Sequence, residues 1–140
     1  MLGADCVEKM LRSGRLLPLL LALAGCRSAP EITGTYDLLT VNGVRLPVRA
    51  GWVAQGSSEL IRGSMELNPD GSYRYGLVFR VRSPARGEYL DSSVTTGTYE
   101  RRLSTVRLHA PGGDMAAQLA LPTLSLTHGG WTYLFRKAAP

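Results

Sequence analysis

Between residues 72 and 82 the chain alternates without a slip. Tyr73, Tyr75, Leu77, Phe79 and Val81 fall on one face, and Arg74, Gly76, Val78, Arg80 and Arg82 on the other. A period of two is the mark of a β-strand with one buried face, because successive side chains point to opposite sides of a sheet. Shorter runs of the same kind fill the sequence from Thr33 onward, separated by clusters of Gly, Pro, Asn, Asp and Ser. No window of ten or more residues combines helical periodicity with caps. The expected fold class is therefore all-β.

The predicted strands cover residues 34–41, 44–49, 58–67, 72–82, 93–101, 105–109, 115–121, a short run through Leu124 and Leu126, and 131–136. Asn42-Gly43 is a two-residue hairpin signal, since both residues accept positive φ. Pro47 inside the second run argues for an edge position. Gly51 to Ser57, with Trp52 inside it, reads as a connection. Asn68-Pro69-Asp70-Gly71 places Pro and Gly where a turn wants them. Residues 83–92, with Pro84, Gly87 and mixed charge, read as the longest break. Eight to ten strands in so short a chain must hide their edges, and closure removes them altogether. The near absence of long crossovers favours an up-and-down antiparallel barrel of about eight strands, with a two-sheet β-sandwich as the alternative.

Thr33-Gly34-Thr35-Tyr36 recurs as Thr96-Gly97-Thr98-Tyr99, with looser relatives at Gly71-Ser72-Tyr73 and Gly130-Trp131-Thr132-Tyr133. Glycine beside a strand start permits sharp coiling or a close backbone approach, and the following aromatic then plugs the barrel. Tyr36, Tyr73, Tyr75, Phe79, Tyr99, Trp131 and Tyr133 are accordingly candidate plug residues, or a stacking surface for a ligand.

The first 28 residues have a different character. Lys9, Arg12 and Arg15 precede the apolar run from Leu16 to Leu23, which is too short to span a bilayer of roughly 20 helical residues. Leu23-Ala24-Gly25-Cys26 closes it and resembles the lipobox of bacterial lipoproteins. That resemblance implies cleavage before Cys26, lipidation of its sulfur, and a membrane partner through acyl chains such as palmitate, two or three of which anchor stably where one does not. Arg27, in place of the Asp that retains lipoproteins at the inner membrane, implies the outer membrane facing the periplasm. The expected organisation is a signal peptide over residues 1–25, a lipidated tether over 26–32, a barrel over 33–137 and a tail over 138–140. Met10 offers a cleaner start than Met1. Cys6 and Cys26 are the sole cysteines, so the mature domain would hold neither a disulfide nor a thiol nucleophile.

Gly34-Thr35-Tyr36-Asp37-Leu38, the run from Val41 to Pro47, Asn68-Pro69-Asp70-Gly71-Ser72-Tyr73 and Thr96-Gly97-Thr98-Tyr99 together resemble the lipocalin-like barrel domains of bacterial lipoproteins. Tyr36 stands where lipocalins carry tryptophan, and no C-terminal helix follows. The resemblance implies a small apolar ligand or envelope component; the alternative is a structural lipoprotein docking another envelope protein.

Enzymatic chemistry finds little support. His109 and His128 are the only histidines and share no metal-ligand spacing. No Gly-x-Ser-x-Gly elbow is present, and Ser57-Ser58 and Ser92-Ser93 read as turn residues. No cofactor is expected. Arg74, Arg80 and Arg82 form a basic stripe suited to phosphate or carboxylate, unless neighbouring acids solvate it as an ordinary outer face. A net charge of +5 without an aromatic–basic recognition motif gives no reason to expect nucleic acid.

Overall fold

A computed structural model of the chain describes residues 31–51 and 56–140. Cys26, the signal segment before it and Trp52 lie outside the described residues. Within them every regular element is a strand: β1 (Gly34–Val41), β2 (Val44–Arg45), β3 (Val48–Gly51), β4 (Ser57–Leu67), β5 (Ser72–Ser83), β6 (Gly87–Arg102), β7 (Thr105–Ala110), β8 (Gly113–Ala120), β9 (Thr123–His128) and β10 (Trp131–Lys137). Strands β4 to β10 pair in sequence order, β10 pairs with β1, and β1 pairs with β4. All these pairings are antiparallel, so eight strands close into an up-and-down barrel with β2 and β3 added outside the ring.

The alternation read from the sequence fixes which face turns inward. Leu60, Met65 and Leu67 of β4 stand opposite Phe79, Tyr75 and Tyr73 of β5, and Leu108 faces Met115 across β7 and β8. Tyr36, Tyr73, Phe135, Met65, Leu67, Leu108, Leu124 and Leu126 are fully buried in one continuous core. Ile32, expected in the tether, is buried in that core. Its carbonyl accepts a 2.6 Å hydrogen bond from the Tyr36 hydroxyl.

The echoed Gly-x-Tyr element has a steric basis. A β-carbon on Gly97 would stand 1.8 Å from the His109 carbonyl oxygen and 2.9 Å from the Tyr73 ring. Only glycine lets β6 coil tightly enough for β7 to pair there. Its companion Tyr99 caps the same end, donating to the Asn68 carbonyl at 2.8 Å. Asn42 and Gly43 take φ of 50° and 78°, the conformation a two-residue hairpin requires.

Three expectations change. The run over 44–49 is split at Leu46-Pro47 into β2 and β3, because proline has no N–H for a ladder. The expected long break over 83–92 is instead a tight turn at Pro84-Ala85-Arg86 followed by strand, with β5 and β6 paired without interruption from Ser72↔Thr98 to Ser83↔Gly87. Its mixed charge is cross-strand pairing: the Arg82 Nε–H donates to Glu88 at 2.9 Å, and the Arg86 guanidinium lies 5.7 Å from the centre of the Tyr89 ring. Ser57, Ser58, Ser92 and Ser93 are likewise strand residues and not turn residues.

Candidate functional site

The two ends of the barrel differ. At the closed end Ile32, Tyr36, Tyr73 and Tyr99 fill the interior. At the other end β1 and β4 part company. They pair only over Gly34–Asp37 and Ser64–Leu67, after which the same edge of β1 receives β2 and the same edge of β4 receives β3. Both strands carry a register shift where they diverge, at Leu38/Thr40 in β1 and at Leu60/Arg62 in β4. Bulges bend a strand and re-aim its side chains, and here they open the mouth.

Inside this splay lies a cavity of about 170 Å³. Val41 ends β1 on one side, Val48 and Ala50 of β3 form the outer wall, and Leu60 and Phe79 form the opposite wall. Trp131 and Tyr133 of β10 complete it. Among the described residues, no charged side chain lines it. Tyr133 also borders a second cleft of about 340 Å³, between β6 and the β7–β8 turn, where Ser93, Thr95 and His128 add polar groups to Tyr75, Leu77 and Met115. The floor beneath both is aromatic. Tyr75 meets Tyr133 edge-on at 6.2 Å and Phe135 at 5.9 Å, the T-shaped geometry that ring quadrupoles favour. Burial, and then the neighbouring Tyr133 phenol, push the Tyr75 hydroxyl well above its ordinary pKa; burial raises that of Tyr133 too. Neither is ionised near neutral pH. A broader hollow lies at the other end, between Glu31 and Pro140, and is bounded by segments near the chain ends.

The seven candidate aromatics therefore separate into two groups. Tyr36, Tyr73 and Tyr75 are buried in the core and Tyr99 caps the closed end; Phe79, Trp131 and Tyr133 line the mouth. Val41, Val48, Ala50 and Leu60 had not been singled out. Their signal was present in the alternation of β3 and β4, but their convergence depends on a pairing between distant strands.

The arginine stripe lies on the outer face of β5 and is laced with acids. Arg80 stands 3.7 Å from Glu59 and 3.6 Å from Glu88, Arg82 pairs with Glu88 at 2.9 Å, and Arg74 faces Glu66 across β4 and β5. This matches a solvated outer face with intervening acids. His109 sits on the outside of β7, with Nδ1 2.9 Å from Asp114 and Nε2 3.3 Å from Glu100. The Nε2 contact is an ion pair without hydrogen-bond geometry. Asp114 first of all, with Glu100 behind it, raises the imidazole pKa above its ordinary value against a smaller opposing desolvation. Both ring nitrogens thus face carboxylates.

No comparison names a relative. No family model matches the chain, and no curated protein or solved structure matches it either.

Proposed function

We propose that this chain is a lipid-anchored lipoprotein of the bacterial cell envelope, held at Cys26, whose lipocalin-like barrel takes a small apolar ligand at its open end. The apolar cavity between β1, β3, β4, β5 and β10 carries this reading. An apolar cavity of about 150 Å³ stays dry and admits a ligand the size of benzene, so about 170 Å³ suits a ring or a short alkyl segment. The adjoining cleft, with Ser93, Thr95 and His128, suits a polar head on the same molecule. At ~0.8 kcal/mol for each buried methylene, a segment of six to eight carbons gains about 5–6 kcal/mol, a Kd on the order of 0.1 mM. The barrel serves as a holder, and the described residues that line the cavity are apolar or aromatic. The filled lower half supports the second reading, a structural lipoprotein docking an envelope protein, wherever the mouth proves empty of ligand.

Two experiments test the two halves of the proposal. Titration of the purified chain with N-phenyl-1-naphthylamine is expected to give saturable fluorescence enhancement, which Ala50→Phe abolishes by filling the cavity. Unaltered binding in that variant, at an unchanged melting temperature, removes the mouth as the site. Labelled palmitate is expected to enter the wild type and not Cys26→Ser; incorporation into the variant removes the anchor.

A further inference from the structure

Strand β6 is sixteen residues long and is only partly enclosed. Gly87 to Thr98 pairs with β5, whereas β7 pairs only with Thr98 to Arg102. Among the described residues, the edge of β6 from Gly87 to Thr96 that faces away from β5 has no strand paired with it. Two contacts fix which backbone groups face that edge. The Tyr99 N–H points to the β5 side, donating to the Gly71 carbonyl at 2.8 Å. The Ser92 N–H is met by the carboxylate of its neighbour Asp91 at 2.9 Å. Backbone groups alternate along a strand, so residues 88, 90, 92, 94 and 96 turn their N–H and C=O groups outward.

Such an edge is a template for another strand, and folded chains guard against it with short strands, prolines, bulges or lysines. The other free edges of this sheet are guarded in that way. β2 has two residues and ends beside Leu46-Pro47, and β3 has four residues and a register shift. The β6 edge has neither proline, lysine nor bulge over ten residues. Its outer face also exposes Leu90 and Val94, 65% and 50% accessible.

We propose that this edge is a dimer interface, in which β6 of one copy pairs antiparallel with β6 of a second copy about a two-fold axis at Ser92. The sequence is complementary to itself in that register. Leu90 meets Val94 on both sides of the axis, Tyr89 meets Thr95, Glu88 meets Thr96, Asp91 meets Ser93, and Ser92 meets Ser92. Apolar pairs directly opposite one another stabilise a ladder and like charges destabilise it; here no acid faces an acid. Residues 88, 90, 92, 94 and 96 each find an outward-facing partner, so the ladder is fully bonded. Moving the axis to Asp91 sets two carboxylates face to face and places Leu90 opposite Ser92. Moving it to Ser93 places Leu90 opposite Thr96. Both shifts also shorten the ladder. Asp91 and Glu88 are the charged guards of this edge; Glu88 is drawn to Arg80 and Arg82 of β5, and the incoming Ser92 carbonyl replaces the Asp91 carboxylate on the Ser92 N–H. The interface shares no residue with the apolar mouth cavity, although Ser93 and Thr95 of the adjoining cleft lie within the paired stretch, and it does not rest on ligand binding.

The test uses the full chain with Cys6 and Cys26 replaced by serine, which leaves it free of other thiols. Sedimentation equilibrium is expected to show a concentration-dependent monomer–dimer equilibrium. Ser92→Pro removes an N–H that β5 does not use, and is expected to weaken the dimer at least tenfold with the melting temperature of the monomer retained. Leu90→Lys combined with Val94→Lys is expected to do the same without altering the backbone, should the proline variant fail to fold. Opposed residues in an antiparallel ladder have Cα atoms about 4.5–5.5 Å apart, within reach of a disulfide. Ser92→Cys is therefore expected to cross-link copies under mild oxidation, and Gln118→Cys, exposed on β8, is not. A chain that stays monomeric at about 100 µM overturns the proposal, as does a dimer indifferent to both edge variants. Equal cross-linking through Gln118→Cys and Ser92→Cys overturns it as well.

Discussion

Replacing Gly97 by alanine tests the packing logic of the barrel most directly. The new β-carbon would stand 1.8 Å from the His109 carbonyl oxygen and 2.9 Å from Cε1 of Tyr73, where 3.4–4 Å is ordinary contact. β6 and β7 must separate by more than an ångström, and the Tyr73 ring must give way as well. Overfilling a packed interior costs about 1–3 kcal/mol. Here the obstacle is a backbone oxygen, not a side chain able to swing aside, which places the cost at the upper end, about 3 kcal/mol. Alanine returns about 0.4–1 kcal/mol by restricting the unfolded chain, leaving a net loss of about 2–3 kcal/mol. For a domain of this size each kcal/mol moves the melting temperature by roughly 4–8 °C, so a fall on the order of 10–20 °C is expected by circular dichroism. Gly76→Ala is the control. In the adjacent strand its β-carbon would meet nothing closer than the Ser93 carbonyl oxygen at 3.9 Å, and it is expected to leave stability unchanged or raise it by up to about 1 kcal/mol. A Gly97→Ala protein that melts within about 2 °C of wild type, or that shifts no more than the Gly76 variant, would refute the reasoning.

Other outcomes follow from single contacts. Tyr36→Phe removes a buried hydrogen bond and strands the Ile32 carbonyl, a loss of about 1–2 kcal/mol in urea denaturation. The buried Tyr73 hydroxyl has no hydrogen-bond partner among the described residues, so Tyr73→Phe is expected to be neutral or stabilising by the same assay. His109 carries a raised pKa because of Asp114 first and Glu100 after it. Its contribution to stability is therefore full below the ordinary histidine value of about 6.5 and lost as pH rises through the folded value. NMR titration is expected to place the His109 midpoint above the ordinary value, and Asp114→Asn to bring it down; an unshifted midpoint in the wild type contradicts the assignment. Glu88→Gln breaks only exposed ion pairs with Arg80 and Arg82, and its melting curve is expected to overlay that of wild type.

Much of the barrel was legible because its strands have one wet and one dry face. β1, the Asn42-Gly43 hairpin, β4, β5 and the inward aromatics of β10 all announce themselves through alternation and turn chemistry. The first eight residues of β6 do not. Gly87 to Val94 is exposed throughout, so no buried face imposes a period, and strand looks like loop. The arginine stripe was legible as a stripe, but its neutralisation came from Glu59 and Glu88 on neighbouring strands, which only register reveals. The mouth was half legible. Trp131, Tyr133 and Phe79 stood out by type, while Val41, Val48, Ala50 and Leu60 became a wall only because β1 joins β4 across an intervening excursion of chain.

Closure through β1 also dictates an order of events. Tyr36 pairs with Lys137, about a hundred residues away, whereas β4 with β5 and β7 with β8 are local hairpins. Contacts between distant segments must overcome the entropy of the loop they close before they return any energy. The seam between β1 and β10 is therefore expected to form last. Until Lys137 has been made, β1 has no β10 to pair with, and Tyr36 lacks one of its two flanking strands. The barrel therefore spends its assembly as an open sheet, for as long as β10 takes to join β1.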